Sequence, residues 1–262
     1  MPFTLSHAAA ALPFRRTRLM FSAVVVGCFA PDLMYFIRFG PRGRFGHTWP
    51  GLFLFDLPFG LLLLWLFHRY AKEPLWAWLP EAIRQRVRLG SRTLPLKGAR
   101  QSAIVLVSIL LGAVTHILWD SFTHNLYWPY RHWPLLSYTV MLPVLGPTPY
   151  FKLFQHGSSV LGMVVLLIWL KRRMDAATPI SLQSPQGRGN ERTIFVAACV
   201  IALMAGVMRA YFGLGSSTGR HAIAIFIEKA GIATAAVFWI EVVLYGILRD
   251  RRSRSAQTAQ TG

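Results

Sequence analysis

A set of long apolar stretches constrains this fold more than any other feature of the sequence. They run over residues 19–39, 51–68, 101–120, 155–170, 193–212 and 230–248. Each is close to the ~20 residues that an α-helix needs to cross the hydrocarbon of a bilayer. Hydrophobic residues make up 54% of the chain and charged residues 15%, so a water-soluble core could not bury this apolar surface. The sequence therefore predicts an all-α, polytopic membrane bundle of about six transmembrane helices.

The basic residues predict an orientation for this bundle. Lys and Arg are concentrated in 71–100 and 171–192 and are sparse in 40–49 and 120–153. This alternation follows the positive-inside rule and predicts that both termini are cytoplasmic. It also explains the net charge of +18 as a topology signal that attracts anionic lipid. We therefore expect a multi-pass protein of the bacterial inner membrane, with membrane lipids rather than nucleic acid as its partners.

The loop compositions suggest how the chain is divided. Residues 1–170 form the expected membrane domain with the candidate site. The stretch 171–192 contains Pro, Gly, Ser and Gln and is typical of a flexible cytoplasmic linker. We expect a C-terminal helix pair over 193–248 and a basic, disordered tail over 249–262.

The third apolar stretch carries ionisable side chains, whose burial in a membrane has a high free-energy cost. His116 and Asp120 are four residues apart, so they share a face of a helix, and His124 lies about 80° further round. That face could hold a metal ion. The alternative is a helix end whose His and Asp side chains only bind backbone and water.

Two earlier segments are expected to meet this face. Asp32 follows Pro31, which removes a helix hydrogen bond and bends the helix beside a carboxylate. His47 lies in the short outer loop that follows. In the predicted topology Asp32, His47, Asp120 and His124 all approach the outer face, and this convergence predicts a site.

Imidazole and carboxylate ligands without thiolates suit a divalent ion: zinc, manganese or iron. Such an ion lowers the pKa of bound water to about 7, which makes hydrolysis the natural chemistry. Asp120, Arg131 and His132 are the candidate catalytic residues, the last two to stabilise charge on a phosphoryl or acyl oxygen. Arg131 could instead be an interfacial anchor. Asp56 could orient a ligand imidazole or cap the bend at Pro58.

Four motifs also carry a family resemblance: PFTLSHAAA at 2–10, APD at 30–32, GHT at 46–48 and HILWD at 116–120. Together they resemble a bacterial inner-membrane family of unknown function. Their order is similar to that of predicted membrane-bound metal-dependent hydrolases and, more distantly, of the zinc phospholipase C and single-strand nuclease superfamily. The resemblance covers the first two-thirds of the chain. It implies a metal bound by His7, Asp32, His47, His116 and Asp120.

This sequence departs from the hydrolase pattern at Met34, where a second acid often follows the Pro-Asp aspartate, and this argues against a two-metal site. His7 also poses a geometric problem, because a continuous helix would place it about 37 Å from Asp32 at 1.5 Å per residue. Either the segment from Phe3 to Phe14 forms its own helix that turns at Pro13 toward the site, or His7 is a cytoplasmic cap residue.

Two functions fit these residues. The first is a membrane-embedded metal-dependent hydrolase of an ester or phosphoester bond in a lipid, a lipid-linked substrate or a small molecule. The second is an ion or proton-coupled transporter, whose ionisable groups would be spread across the membrane depth. A non-enzymatic protein whose polar residues only join helices is a further alternative. Clustering of the ligands at one point would favour the hydrolase.

Overall fold

A computed structural model describes residues 4–41, 43–96, 98–143, 146–181, 189–215 and 217–261. These residues form helices and one β-hairpin. Five helices are long and apolar enough to cross a membrane. They are Trp49–Trp78, Ala99–His132, Tyr150–Ala176, Asn190–Phe212 and Ala222–Ser255. The prediction of a helical membrane protein is confirmed at this level.

The first half of the chain is built from short helical pieces. In chain order these are the 3₁₀ helix Thr4–Arg16, α1 Phe21–Gly27, the 3₁₀ turn Ala30–Asp32, α2 Leu33–Ile37, the 3₁₀ turn Phe45–His47, α3 Trp49–Gly51, the π-helical turn Leu52–Asp56, α4 Leu57–Leu66, the π-helical turn Phe67–Ala71, α5 Lys72–Trp78 and α6 Glu81–Arg84.

The second half contains the longest helices. They are α7 Ala99–Thr123, α8 Trp128–His132, α9 Pro134–Ser137, strands β1 Thr139–Leu142 and β2 Gly146–Pro149, α10 Tyr150–Ala176, α11 Gly189–Phe212 and α12 Gly219–Thr261. The two strands are antiparallel, with Thr139 opposite Pro149 and Leu142 opposite Gly146. This hairpin is a local exception to the all-α prediction.

The expected first span, residues 19–39, is broken at Pro31. Proline has no N–H, and the N–H of Asp32 bonds the carbonyl of Phe29 (3.1 Å) in a tight 3₁₀ turn. The carbonyl of Cys28, which an unbroken α-helix would pair with Asp32, is therefore left for another donor. As a result, only the short apolar segment Phe21–Ile37 stands where a sixth spanning helix was expected.

The chain divides into two compact units that do not follow the expected order. The first comprises the residues up to Leu33, Arg44–Leu64 and Pro95–Arg172. The second comprises Met34–Gly43, Trp65–Leu94 and the residues from Arg173 onward. Part of the expected domain 1–170 thus belongs to the second unit. Within the expected linker 171–192, α10 continues to Ala176 and α11 begins at Gly189, and residues 182–188 lie outside the described part of the chain.

In the first unit, α1 and α7 pack with their backbones in direct contact. A Cβ built on Gly27 would lie 2.1 Å from the carbonyl oxygen of Ile109, and one built on Gly112 would lie 2.1 Å from that of Val24. Real Cβ contacts of that length do not occur, so both positions require glycine. The contact brings the backbone of residue 28 against the helix face that carries His116.

In the second unit, α12 continues where a disordered tail was expected, as far as Thr261. Asp250 explains part of this extension. Its carboxylate accepts two hydrogen bonds from Arg69 (3.0 and 2.6 Å) and lies 3.1 Å from the guanidinium of Arg254, one helical turn further on. This paired charge stabilises the helix into the basic segment.

We expect Gly112→Ala to lower the stability of the protein by about 1–3 kcal/mol, because the new methyl group must displace the backbone of α1. The measurement is the thermal unfolding midpoint in detergent.

Gly157→Ala is the matched control on α10. A Cβ at Gly157 meets no described heavy atom within 4 Å, so this variant should unfold at or above the wild-type midpoint. Equal midpoints for Gly112→Ala and wild type would contradict the packing described here.

Candidate metal centre

Five side chains from four separate segments meet at one point in the first unit. His7 comes from the 3₁₀ helix Thr4–Arg16, Asp32 from the break after Pro31, and His47 from the turn Phe45–His47; His116 and Asp120 come from α7. All five side chains are at most 7% exposed. We call this group the His/Asp cluster.

Four nitrogen–oxygen distances in the cluster have the length expected between ligands of an ion. Nε2 of His47 lies 3.5 Å from Oδ1 of Asp32 and 3.4 Å from Oδ2 of Asp120. Nε2 of His116 lies 3.6 Å and 3.4 Å from the same two oxygens. Tetrahedral ligands held about 2.1 Å from a metal lie about 3.4 Å from one another. These four distances therefore match the spacing of neighbouring ligands around an ion. The ligand atoms form two groups of three that share His116, and within each group they lie within 4.8 Å of one another: His7, His116 and Asp120, and Asp32, His47 and His116.

His7 adds a fifth nitrogen to the cluster. Its Nε2 lies 3.5 Å from Oδ1 of Asp120, and its ring stacks on that of His116 with the centroids 4.0 Å apart. Burial, together with the neighbouring His116, lowers the pKa of His7 to about 3. At neutral pH the imidazole of His7 is therefore uncharged and offers a lone pair.

Several buried atoms of the cluster make no hydrogen bond to any described residue. They are Nε2 of His7, Nε2 of His116 and Oδ1 of Asp120. Buried polar atoms in proteins are nearly always hydrogen-bonded, so a group of them facing one another indicates a missing partner. A cation coordinated by these atoms would satisfy all three.

The backbone of residue 28 orients His116. Nδ1 of His116 lies 2.7 Å from the carbonyl oxygen of Cys28. Since a carbonyl can only accept, Nδ1 carries a proton, and Nε2 is the ring nitrogen that faces the cluster and could bind a metal. Pro31 makes this possible, because the 3₁₀ turn that it introduces leaves the Cys28 carbonyl outside the helix ladder. Sequence reasoning located the kink but not this bond.

Thr4 orients Asp32 in the same way. Its hydroxyl donates a 2.7 Å hydrogen bond to Oδ2 of Asp32, so Oδ1 is the oxygen that faces the two imidazoles. Sequence reasoning missed Thr4, although it lies three residues before His7. The three-residue spacing of Thr4 and His7 was the available sequence signal that Thr4 lies near the site.

His124 lies beside the cluster but outside its ligand groups. Nε2 of Gln155 is 3.2 Å from Nε2 of His124, and Nδ1 of His124 is 3.1 Å from the backbone carbonyl of Asp120. The amide donates to one ring nitrogen and the other donates to the carbonyl, so both nitrogens are used. His124 therefore braces the end of α7, and the buried Gln155, which sequence reasoning missed, holds it in place.

Asp56 is fully buried at the end of the π-helical turn Leu52–Asp56, and neither carboxylate oxygen has a hydrogen-bond partner among the described residues. A Cβ on Gly46 would lie 2.8 Å from Oδ1 of Asp56 and 2.6 Å from the carbonyl oxygen of Pro31. Asp56 thus lies against the turn that carries His47, but it is not one of the grouped ligands.

The structure does not bring the other two candidate catalytic residues to the cluster. Arg131 and His132 are exposed on α8. The ring of His132 stacks on Trp128 with the centroids 4.4 Å apart, and its Nδ1 lies 2.9 Å from the Trp128 carbonyl oxygen. In the described part of the chain, neither residue joins the ligand groups, which contain only His7, Asp32, His47, His116 and Asp120.

Comparison with known proteins gives one match. No curated protein and no solved structure matches the chain. A family model described as a domain of unknown function, DUF4184, matches residues 1–247. That range includes all five residues of the His/Asp cluster and extends through α11 and into α12, beyond the two-thirds of the chain covered by the motifs. The chain belongs to the DUF4184 family.

Proposed function

We propose that this protein is a membrane-embedded, metal-dependent hydrolase of an ester or phosphoester bond in a lipid or lipid-linked substrate. The observation that carries the proposal is the convergence of the His/Asp cluster. Five ionisable side chains from four segments are buried at a single point. A transporter needs ionisable groups at several depths along a path, so this clustering favours a fixed metal site.

The proposed ligands are Asp32, His47, His116 and Asp120, with His7 as a fifth. Zinc, manganese and iron all accept this mixture of imidazole and carboxylate. Manganese or iron, with six positions, would keep a place for water beside all five ligands. Zinc, which prefers four, would need one or two of them to stay outside its shell. When bound, such an ion lowers the pKa of coordinated water to about 7 and supplies a nucleophile for hydrolysis.

The protein's own groups prepare the site for this ion. The Cys28 carbonyl fixes the proton of His116 on Nδ1, and Thr4 fixes the free oxygen of Asp32. Asp120 contributes both oxygens, Oδ2 toward His47 and His116 and Oδ1 toward His7. The proposal assigns no catalytic role to Arg131 or His132.

The positive-inside pattern supports an orientation for the proposed enzyme. It favours a cytoplasmic C-terminus in a bacterial inner membrane, with the His/Asp cluster toward the outer leaflet. The expected cytoplasmic N-terminus is not part of the proposal, because Thr4 and His7 lie at the cluster and would share its side of the membrane. A lipid substrate would then reach the metal from that leaflet.

We expect the purified protein to bind one equivalent of zinc, manganese or iron and to lose it in His116→Gln and Asp120→Asn. Adding metal to stripped wild-type protein should raise its unfolding midpoint, because ligand at 100 times Kd stabilises the folded state by about 2.7 kcal/mol. The measurements are elemental analysis and thermal unfolding with ZnCl2, MnCl2 or EDTA.

His132→Gln and Asp175→Asn are the matched controls, since each changes an exposed residue of the same type outside the cluster. Both should bind metal like the wild type. Failure of stripped wild-type protein to bind any of the three ions would overturn the proposal and favour proton or ion transport.

Thr4→Val should weaken metal binding by about 10–100-fold, the effect of removing a hydrogen bond that orients a metal ligand. Valine keeps the shape of threonine but cannot bond Asp32. Thr4→Ser restores the hydroxyl and should recover most of the affinity. A metal titration of the three proteins measures this, and equal affinity in all three would show that Asp32 needs no orientation.

Hydrolysis is tested directly with p-nitrophenyl phosphodiesters and carboxylic esters, followed by phospholipids in mixed micelles. We expect turnover that requires the metal and falls at least about 100-fold in Asp120→Asn. It should stay at the wild-type level in Asp175→Asn. Hydrolysis that persists undiminished in Asp120→Asn would come from a contaminant or from another site.

A further inference from the structure

We propose that residues 128–143 and 146–149 of the first unit, here called the interfacial arm, bind the headgroup region of the bilayer and present lipid to the His/Asp cluster. The arm comprises α8, α9 and the β1–β2 hairpin between two long apolar helices. The contact between the arm and the membrane does not depend on the proposed function. The substrate class inferred from that contact rests on the proposed function.

The arm exposes several large aromatic and apolar side chains. They are Trp128 at 61%, Trp133 at 48%, Leu135 at 62%, Tyr138 at 62% and Met141 at 76%. Trp and Tyr are enriched where a membrane meets water, because their rings are apolar and their N–H and O–H groups find polar partners there. The composition of this face fits the bilayer interface better than bulk water.

These side chains project from a folded platform rather than from a loose loop. Leu136 is 4% exposed and anchors α9. The rings of Tyr138 and Tyr150 stack with centroids 5.6 Å apart, and the N–H of Tyr150 donates a 2.9 Å hydrogen bond to the Tyr138 carbonyl. The exposed groups therefore have a fixed backbone that can dock on a surface.

The charge of the arm complements a phospholipid headgroup. The sequence from 121 to 174 contains no Asp or Glu, and Arg131 and Lys152 supply positive charge near the exposed aromatic residues. Guanidinium and ammonium groups beside an apolar surface are attracted to lipid phosphate. The arm also joins directly to α10, which is long and apolar enough to cross a membrane, so the arm begins where such a span would leave the hydrocarbon.

The arm sets the depth of the cluster. Asp120 lies three residues before the end of α7 at Thr123, about 5 Å along the helix axis, and α8 of the arm begins at Trp128. A headgroup region is about 5–7 Å thick on each side of the hydrocarbon. The cluster therefore lies close to the level of the ester and phosphate groups of a phospholipid. We infer that the substrate is an amphiphile cleaved at that level rather than a water-soluble ester.

Accessibility of a label on the arm tests the membrane contact without any assay of activity. Met141→Cys is made in a Cys199→Ser background, which leaves only the buried Cys28, and is labelled with a fluorophore in phospholipid nanodiscs. Leu167→Cys, exposed in the middle of α10, is the lipid control, and Thr178→Cys, exposed outside the long helices, is the water control. We expect shallow nitroxide lipids to quench the label at 141 at least three times more strongly than the label at 178.

Every other outcome of the quenching experiment overturns the contact. Quenching by aqueous iodide to the level seen at 178 would place the arm in water. Protection from both quenchers would mean that protein, either a partner or a second copy, covers it.

The substrate class is tested with Leu135→Glu/Met141→Glu, whose new charges oppose insertion next to lipid phosphate. This variant should keep wild-type metal content and wild-type turnover of a soluble p-nitrophenyl ester, but lose at least tenfold in turnover of bilayer phospholipid. Equal losses on both substrates, or none, would overturn the inferred substrate while leaving the metal site intact. Absence of metal in the wild type would instead overturn the proposed function, and the quenching result would still stand.

Discussion

The hydrogen bond between Nδ1 of His116 and the carbonyl of Cys28 is the interaction on which the site depends. This bond requires a backbone carbonyl that is not already hydrogen-bonded within a helix, and Pro31 provides one. It also requires that α1 and α7 lie close enough for the imidazole of His116 to reach that carbonyl. Gly27 and Gly112 provide that closeness because a methyl group at either position would strike the opposite backbone. One proline and two glycines thus prepare a ligand nitrogen. None of the three is itself a candidate ligand.

The cluster is costly to the folded protein unless it is occupied. Two carboxylates and three imidazoles are buried together, and the effective penalty for burying a charge is several kcal/mol even after relaxation. Hydrogen bonds from Thr4 and to Cys28 offset a small part of this cost. A chain under no demand other than folding would be more stable with apolar groups at these positions, so the cluster indicates a function that requires it.

Sequence reasoning was most successful where a regular pattern carried the information. Helix periodicity put His116 and Asp120 on one face, and the Pro-Asp step marked Asp32. The resemblance alone implied His7 as a ligand. The long apolar helices were predicted for the same reason, since length and hydropathy are local properties.

The parts that sequence reasoning missed depend on tertiary contacts. The Cys28 carbonyl has no side-chain signature, and Gln155 and Thr4 are neutral polar residues whose partners lie far away in the chain. Arg131 and His132 have suitable chemistry but are exposed on α8, and proximity in sequence to His124 did not reveal this. The helical extension of α12 likewise depends on Arg69, whose long-range pairing no local pattern records.

The position of His7 in the 3₁₀ helix Thr4–Arg16 also has a consequence for the order in which the site assembles. His7 and Asp120 are separated by roughly 110 residues, and contacts of such long range form slowly because of the loop-closure entropy that they cost. The ribosome delivers His7 first and α7 much later. Until α7 has inserted and packed, the chain has only part of the cluster. An ion held by all five residues would therefore be bound by the assembled membrane domain and not by the nascent chain.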